Sequence, residues 1–365
     1  MLGTPSRIAL AIAGLAVVAP APALAIPYFA HEYALACQKC HTVIPRLNGF
    51  GQAFMDHGYA MPGAAPQRVF PFATKINLAY SSEPDPTGLP KGIVDEVEVF
   101  LAGQASSRTN YFVEQYVVDG GRPGATRDAW LAQRFTPDDA KVPLYLQAGS
   151  FTLPLPVDPE TFRETSQHYA AFDQAVGNNP FNFFDPKTGL MLRAGATDHG
   201  VSGRLAALQG HDKQSGLPTV GTDVMAYAQN VLGPVTLSAY RYAGDRPDGA
   251  FTDRFWRGGY GLTYATGRWT SETVLQTGHD TSFDGAGTPA ASSGGFTQLR
   301  FEFNRRLFGL VRYDGTNDPK NGLARSFVGE VGFRVSRNAR FTVEDVVQHV
   351  PQTKHTMNAQ YTVAY

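Results

Sequence analysis

The sequence predicts an all-β protein, a transmembrane antiparallel β-barrel of about sixteen strands preceded by a small helical segment. Apolar and polar residues alternate with a period of two through many short segments, as in strands whose two faces meet different surroundings. These segments recur from Val69 to the C-terminus and are separated by turn residues. Beyond the first 25 residues there is no stretch of about 18 or more apolar residues, so a helical membrane span is excluded.

The first 25 residues are typical of a secretory signal peptide. Arg7 supplies a positive charge, Ile8 to Val18 form an apolar core, and Ala23-Leu24-Ala25 gives the small-x-small cleavage pattern. We therefore expect residues 1–25 to be removed, so that the mature chain starts at Ile26. A membrane anchor is the alternative, but the apolar run is too short to span a bilayer.

The next segment carries Cys37-Gln38-Lys39-Cys40-His41, a C-x-x-C-H motif. This spacing supplies two thiols for thioether bonds to a haem and an imidazole to bind its iron. A redox disulfide would open a helix in a βαβ unit, and no strand pattern precedes the motif. Structural zinc would need further ligands, and the chain has no other cysteine. We therefore predict one covalent haem c, with His41 as the proximal iron ligand.

Residues 26–66 make up the predicted haem segment, a monohaem cytochrome c unit at the lower size limit for a chain that folds alone. The haem must therefore form most of its core. Leu47, Phe50 and Phe54 follow each other at i, i+3 and i+7. A short helix after Pro45 would place all three against the porphyrin.

Residues 67–365 form the predicted barrel. We expect strands of about 8 to 13 residues that start near residues 70, 92, 109, 126, 142, 188, 200, 223, 234, 254, 268, 295, 306, 325, 339 and 354. An even number of strands returns both ends of the barrel to the periplasm. Within one strand, Leu299 and Arg300 point to opposite faces. We expect Leu299 to face lipid and Arg300 to face the lumen, where leucine would be tolerated.

The final strand and the longest connection carry separate signals. Apolar residues of the final strand share one face and end on an aromatic, which resembles the C-terminal signature of outer-membrane proteins; they are Met357, Ala359, Tyr361, Val363 and Tyr365. The connection over residues 158–188 is far longer than usual. Two interpretations stay open for it: a constriction folded back into the lumen, or a surface loop with a short helix from Pro159 to Val176.

The haem segment resembles a known family. The residues that carry the resemblance are Phe29-Ala30, Cys37 to His41, Pro45, Leu47-Asn48-Gly49-Phe50-Gly51, Phe54, Gly58-Tyr59 and Met61. Together they are similar to the N-terminal signature of the iron(II)-oxidising outer-membrane cytochrome-porin family, whose members join one haem to a porin-like barrel. Over the barrel the resemblance is only architectural. This chain departs from the family at Gln52 and Met55, where basic residues are expected.

The second iron ligand is open among Met61, Met55, His57 and His31. We prefer Met61, which closes the family-like element Gly58-Tyr59-x-Met61. Thioether ligation also raises the haem reduction potential, which suits acceptance of an electron from iron(II).

The resemblance implies electron transfer across the bacterial outer membrane through the single haem, without chemistry on an organic substrate. The expected donor is extracellular iron(II) or another reductant, and the expected acceptor is a periplasmic carrier such as a soluble cytochrome or a copper protein. The haem segment would face the periplasm or lie inside the lumen. A porin whose haem segment acts as a plug or redox gate for solutes is the alternative. A haem enzyme, such as a peroxidase or nitrite-type reductase, would require an open iron site. With a net charge of -1, the composition gives no sign of nucleic-acid binding.

Overall fold

The computed structural model describes most of the chain from Phe29 onward. The described residues are 29, 33, 35–43, 46–56, 59, 61, 72–83, 94–137, 140–210, 223–248, 250–320, 322–350 and 352–364. The predicted signal peptide, the ligand candidates His31 and His57, and the terminal Tyr365 lie outside them. Within the described residues, no helix has the length and apolar character needed to cross a membrane.

Sixteen strands form the main body of the protein. In chain order they are β1 Phe72–Ser81, β2 Val94–Ser106, β3 Thr109–Asp119, β4 Thr126–Arg134, β5 Leu144–Phe151, β6 Lys187–Ala194, β7 Gly200–Leu208, β8 Asp223–Leu232, β9 Val235–Asp248, β10 Phe251–Thr266, β11 Trp269–Asp280, β12 Ala290–Glu302, β13 Leu307–Asp318, β14 Gly322–Arg334, β15 Ala339–Val350 and β16 Gln352–Ala364. A two-residue extension, Arg122–Pro123, pairs with the end of β3.

These strands close into one antiparallel barrel. Each strand pairs with the next along the chain, and β16 pairs with β1, where Val363 lies opposite Ile76. The predicted strand number is therefore confirmed. The expected starts agree with the observed ones to within five residues, the largest difference being that of β12.

The two faces of the strands are sharply different. Leu299 on β12 is 39% exposed, whereas the adjacent Arg300 is 2% exposed. On β16, Met357 is exposed while Thr356 and Gln360 are buried, which confirms the predicted alternation in the described part of that strand. A closed barrel with apolar residues outside and polar residues inside satisfies all its backbone hydrogen bonds while it faces lipid, as a membrane requires.

The two ends of the barrel carry different connections. We call the end where β1 begins and β16 ends the terminal mouth; its connections include the two-residue turns at 107–108, 233–234 and 267–268. We call the opposite end the loop mouth. The longest connection, residues 152–186 between β5 and β6, starts from the loop mouth.

A short segment precedes the barrel. It comprises helix α1 (Cys37–Cys40), a small antiparallel pairing of His41–Val43 with Arg46–Leu47, and helix α2 (Gly49–Asp56). Helix α2 starts after Asn48 because the Asn48 side-chain oxygen accepts a hydrogen bond from the Gly51 amide at 3.0 Å, which caps the first turn. The predicted helix is therefore confirmed for Phe50 and Phe54. It is wrong for Leu47, which precedes the cap and pairs with His41 in the small sheet.

The lipid-facing assignment leads to a test on β12. Leu299→Arg should destabilise the folded barrel by about 2–4 kcal/mol, since it places a charge near the centre of the apolar band. Phe303→Arg is the matched control, because Phe303 is also exposed but follows the end of the same strand at the terminal mouth. Its cost should fall to about 0–1 kcal/mol. Urea titration of refolding into lipid vesicles measures both, and equal costs would contradict the predicted depth.

Candidate functional site

The long connection, residues 152–186, folds into the barrel; we call it the constriction loop. Phe172 is 0% exposed and Tyr169 is 1% exposed, so these rings lie inside the lumen and not on the surface. The loop contains one short helix, α3 (Ala170–Asp173). Of the two interpretations left open by the sequence, the constriction is confirmed. The helix expected from Pro159 to Val176 is wrong for most of that range, where only the single turn α3 is helical. Backbone groups of the loop bond to side chains of the barrel wall instead.

Arg312 on β13 makes the densest set of these bonds. Its guanidinium donates to Thr165 Oγ1 at 2.7 Å and to the carbonyl oxygens of Gln167 and His168 at 2.9 and 2.8 Å. Its Nε donates to Asp314 Oδ2 at 2.7 Å, so the buried charge is also paired. A charged donor that satisfies several loop groups at once ties this part of the loop to one position on the wall.

Two further contacts extend the attachment around the lumen. Glu344 on β15 accepts hydrogen bonds from the backbone amides of Ser166 and Gln167 at 3.0 and 3.1 Å. On the other side, the Asn179 side chain donates to Asp253 and Asp280 at 3.0 and 3.2 Å. The constriction loop therefore crosses the lumen and bonds to strands from β10 to β15.

Ion pairs stabilise the early part of the constriction loop, around Glu160. The Glu160 carboxylate lies 3.5 Å from the Arg163 guanidinium and 3.8 Å from that of Arg127 on β4. Burial raises the pKa of Glu160, but the surrounding cations, led by Arg163 and Arg127, lower it by more, to about 2. Because the pKa of Glu160 is lower in the folded state than the ordinary value of 4.5, this ion pair contributes fully to stability at neutral pH. The contribution is lost progressively as the pH falls from the ordinary carboxyl range to about 2.

The segment that carries the C-x-x-C-H motif also lies inside the barrel, at the terminal mouth; we call its described residues, from Phe29 to Met61, the plug. Arg46 anchors it. The Arg46 guanidinium makes a bidentate contact with Glu272 on β11, at 2.5 and 3.1 Å, and lies 3.8 Å from Glu164 of the constriction loop. Arg334 on β14 adds a hydrogen bond to the Thr42 carbonyl at 2.8 Å.

Glu164 connects the plug, the loop and the wall. Besides facing Arg46, its carboxylate accepts a hydrogen bond from Arg300 Nε at 2.7 Å, and its side chain is fully buried. Arg300 does face the lumen, as the sequence predicts. Leucine at this position is nevertheless not a tolerant substitution, because it would leave Glu164 with one fewer cation in a buried site.

The plug packs tightly around the motif. An added Cβ on Gly51 of α2 would come within 2.2 Å of the Cys40 carbonyl oxygen, so only glycine permits this approach. The Asn48 side chain donates to the Gln38 and Lys39 carbonyl oxygens at 3.2 and 3.1 Å. These contacts hold the carboxyl end of α1 against the start of α2.

Aromatic rings surround the second helix. Phe54 is buried and lies 6.2 Å from Phe50 between ring centroids. Phe29 and Tyr59 complete the group, at 5.4 and 5.9 Å from Phe54. The expected contact of Phe50 and Phe54 with a porphyrin stays a prediction.

A cavity of about 310 Å³ separates the plug from the constriction loop. Its lining includes Met55 and Tyr59 from the plug, Trp130 and Glu114 from the wall, and Phe162 from the loop. Of the four candidates for the second iron ligand, the described residues include Met55 and Met61. Met55 faces the cavity, and Met61 is half-buried near the end of the plug.

The donor set of the plug fits a c-type haem. Cys37 and Cys40 begin and end one helical turn, and His41 follows at once; Cys40 and His41 are both half-buried. Two thiols three residues apart with an adjacent imidazole are the groups that hold haem c covalently and bind its iron. Among the residues that the structure describes, no group of three or more His, Cys, Asp or Glu side chains is arranged to hold a bare metal ion.

Sequence patterns did not identify the residues that position the plug and the loop. Arg46 and Glu272 are 226 residues apart, and Arg312 and Thr165 are 147 residues apart. A lone arginine next to Pro45 carries no signal of its own. The alternating charges on the strands indicated only that the lumen is polar.

Comparison with known proteins bears on the barrel. No family model matches the chain, and no curated protein matches it. Among solved structures, Salmonella typhi OmpF in complex with daunomycin aligns with a TM-score of 0.60 at 12% identity, over 80% of this chain and 97% of that chain. The anion-selective porin from Comamonas acidovorans aligns with a TM-score of 0.60 at 9% identity, over 80% and 98%. The chain has the porin fold.

Other porin-fold structures agree. OmpT of Vibrio cholerae, in its trimer form, aligns with a TM-score of 0.54 at 7% identity, over 81% of this chain and 99% of that chain. At such low identity the likeness concerns the fold alone.

The Arg46 contact predicts how firmly the plug is held. Arg46→Met should cost about 3–5 kcal/mol of plug docking, because it leaves Glu272 and Glu164 buried beside an apolar side chain. Limited trypsin digestion in detergent, followed at Lys39, should accelerate about a hundredfold or more if local opening precedes cleavage. Arg305→Met, which changes an exposed arginine in a turn of the same mouth, is the control and should leave the rate unchanged. An unchanged rate in Arg46→Met would show that other contacts hold the plug.

Proposed function

We propose that this protein carries electrons across a bacterial outer membrane through one covalent haem c held on the plug. The observation that carries the proposal is the position of the C-x-x-C-H motif, on a segment docked inside a closed barrel by Arg46. A barrel wall of lipid-facing strands insulates whatever lies in its lumen. A redox group in the lumen could therefore pass electrons from one side of the membrane to the other.

The chain's residues have distinct roles in this proposal. Cys37 and Cys40 hold the haem by thioether bonds, His41 binds the iron, and Met61 is the second iron ligand. The haem supplies reversible one-electron chemistry at its iron. Phe50 and Phe54 shield the porphyrin from water, and Arg46 fixes the plug relative to the wall.

The direction of the protein in the membrane follows from its turns. In bacterial outer-membrane barrels the short turns lie on the periplasmic side and the longer loops outside. The longest connection, residues 152–186, starts from the loop mouth. In this proposal the terminal mouth therefore faces the periplasm, and the plug opens towards a soluble cytochrome or copper protein that would take the electron. The donor at the loop mouth is extracellular iron(II) or another one-electron reductant; iron(II) rests on the resemblance of the plug to the cytochrome-porin family.

A solute porin with a haem-bearing plug is the second candidate, and the porin fold favours it. The plug and the constriction loop both occupy the lumen, and many of their contacts are buried ion pairs. Planar-bilayer current distinguishes the two. An electron carrier should show little steady ion current in the wild type, whereas a working porin should conduct without any change to the plug.

Covalent attachment is the first requirement of the proposal. Acid-acetone extraction should leave the haem on the wild-type polypeptide, because thioether bonds survive conditions that strip non-covalent haem. Cys37→Ser with Cys40→Ser is the matched variant and should release its colour or lack it. Transfer of all the colour from the wild type into the solvent would refute the haem c assignment.

Ligation of the haem iron by Met61 is the second requirement of the proposal. If Met61 binds the iron, Met61→Leu should abolish the near-infrared sulfur-to-iron charge-transfer band of the ferric protein and lower the midpoint potential, since thioether ligation favours the ferrous form. Met55→Leu is the control and should keep the band. The reverse result would assign the ligand to Met55, which faces the cavity.

A further inference from the structure

A row of stacked aromatic rings leads from the plug to the barrel wall. Phe29 and Tyr59 lie 4.9 Å apart between ring centroids and are nearly parallel, at 6°. Tyr59 stacks on Phe112 of β3 at 5.9 Å and 17°, and Phe112 stacks on Trp130 of β4 at 5.6 Å and 26°. Phe112 and Trp130 are direct cross-strand partners, so the sheet itself holds their rings together.

The row is held in place at its plug end. Tyr59 has a φ of 60°, a left-handed conformation that is uncommon for a residue with a side chain. Such a conformation persists where surrounding contacts determine it. Here the ring is fixed between Phe29 and Phe112, which makes Tyr59 the ring that joins the plug to the wall.

Beyond Trp130 a buried apolar cluster, rich in aromatic residues, continues towards the loop mouth. Trp130 packs against a buried cluster that includes Phe183 and Phe181 of the constriction loop. Phe183 and Phe181 lie 5.1 Å apart, and Phe181 lies 5.1 Å from Phe255 on β10. Phe255 is close to the start of its strand at the loop mouth, four positions after Phe251.

Aromatic rings pack in most protein cores. What sets this arrangement apart is its course: it passes from a segment with a haem motif, across an otherwise charged lumen, to the opposite opening. The apolar band of such a barrel is about 25 Å tall. Because the plug lies inside the lumen, an electron from the loop mouth would cross only part of that height. Closely packed π-systems provide better electronic coupling than the same distance through solvent.

We infer that the packed path from Phe255 through the buried cluster to Trp130, and from there along the stacked rings to Tyr59, is the electron route between the loop mouth and the haem. The inference rests on the proposed function. One electron would leave a one-electron reductant at the loop mouth and reduce the ferric iron of a haem held by Cys37, Cys40 and His41, giving ferrous iron. The rings couple donor to acceptor and are neither oxidised nor reduced, so no bond changes and no proton moves.

The test measures intramolecular electron transfer in the full-length haem protein. Ala250→Cys places a single reactive thiol in the exposed turn between β9 and β10 at the loop mouth, since the native cysteines would be bound to haem. A photoactive ruthenium complex attached there donates an electron after a laser flash, and the haem absorption bands report its arrival.

Trp130→Leu should slow this transfer by roughly an order of magnitude, because it removes one ring from the stacked row. Trp130→Phe should restore most of the rate. Trp269→Leu is the matched control, because Trp269 is exposed on the outer surface and lies off the row. The haem midpoint potential and ligation spectrum should stay unchanged in all three, which separates lost coupling from a disturbed haem site.

The outcomes separate the route from the proposed function. Covalent haem with equal rates in Trp130→Leu and the wild type would overturn the route alone. If Trp130→Leu does not fold, Phe112→Leu removes the neighbouring ring and is read in the same way. Absence of covalent haem from the wild type would overturn both the route and the proposed function.

Discussion

Pairing between buried charges shapes much of the inside of this barrel. Closing the sheet satisfies the backbone hydrogen bonds, and every second side chain of each strand then points into the lumen. Many of those side chains are charged, and a charge removed from water is costly unless a partner lies beside it. Arg312 meets Asp314, Arg257 meets Asp280, and Arg300 meets Glu164. The wall thus presents fixed charges to which only complementary segments can bind.

The constriction loop and the plug are two such segments, and they share one carboxylate. Glu164 lies on the loop, yet it faces Arg46 of the plug and Arg300 of the wall. Displacing the plug would therefore remove Arg46 from beside Glu164, which anchors the loop. Moving the loop would remove the Glu164 carboxylate from beside Arg46 of the plug. The positions of the two segments are energetically coupled through this residue, although they are far apart in sequence.

Under the proposed function, this coupling would help to fix the distance over which an electron moves. A cofactor on a loosely held segment would vary its distance to any donor or acceptor, and the rate of transfer depends steeply on distance. Contacts of Arg46 and Arg334 attach the plug to one side of the wall, at β11 and β14. Tyr59 meets Phe112 on a third part, at β3. Three contacts around the mouth fix a rigid body more firmly than one, so the plug is a suitable support for a redox group.

The sequence by itself determined the sixteen strands, their faces and the C-x-x-C-H motif, because each of these depends only on residues that are close together in the chain. A period of two shows in a few consecutive positions such as Leu299 and Arg300, and the motif occupies five positions in a row. The start of α2 also has a local cause, the Asn48 cap, which the apolar spacing of Leu47 obscured. Only the tertiary structure decided that the long connection folds inward, that Arg46 meets Glu272, and that Tyr59 stacks on Phe112. Those contacts join residues from distant strands, and closure of the barrel, which no local pattern specifies, is what brings them together.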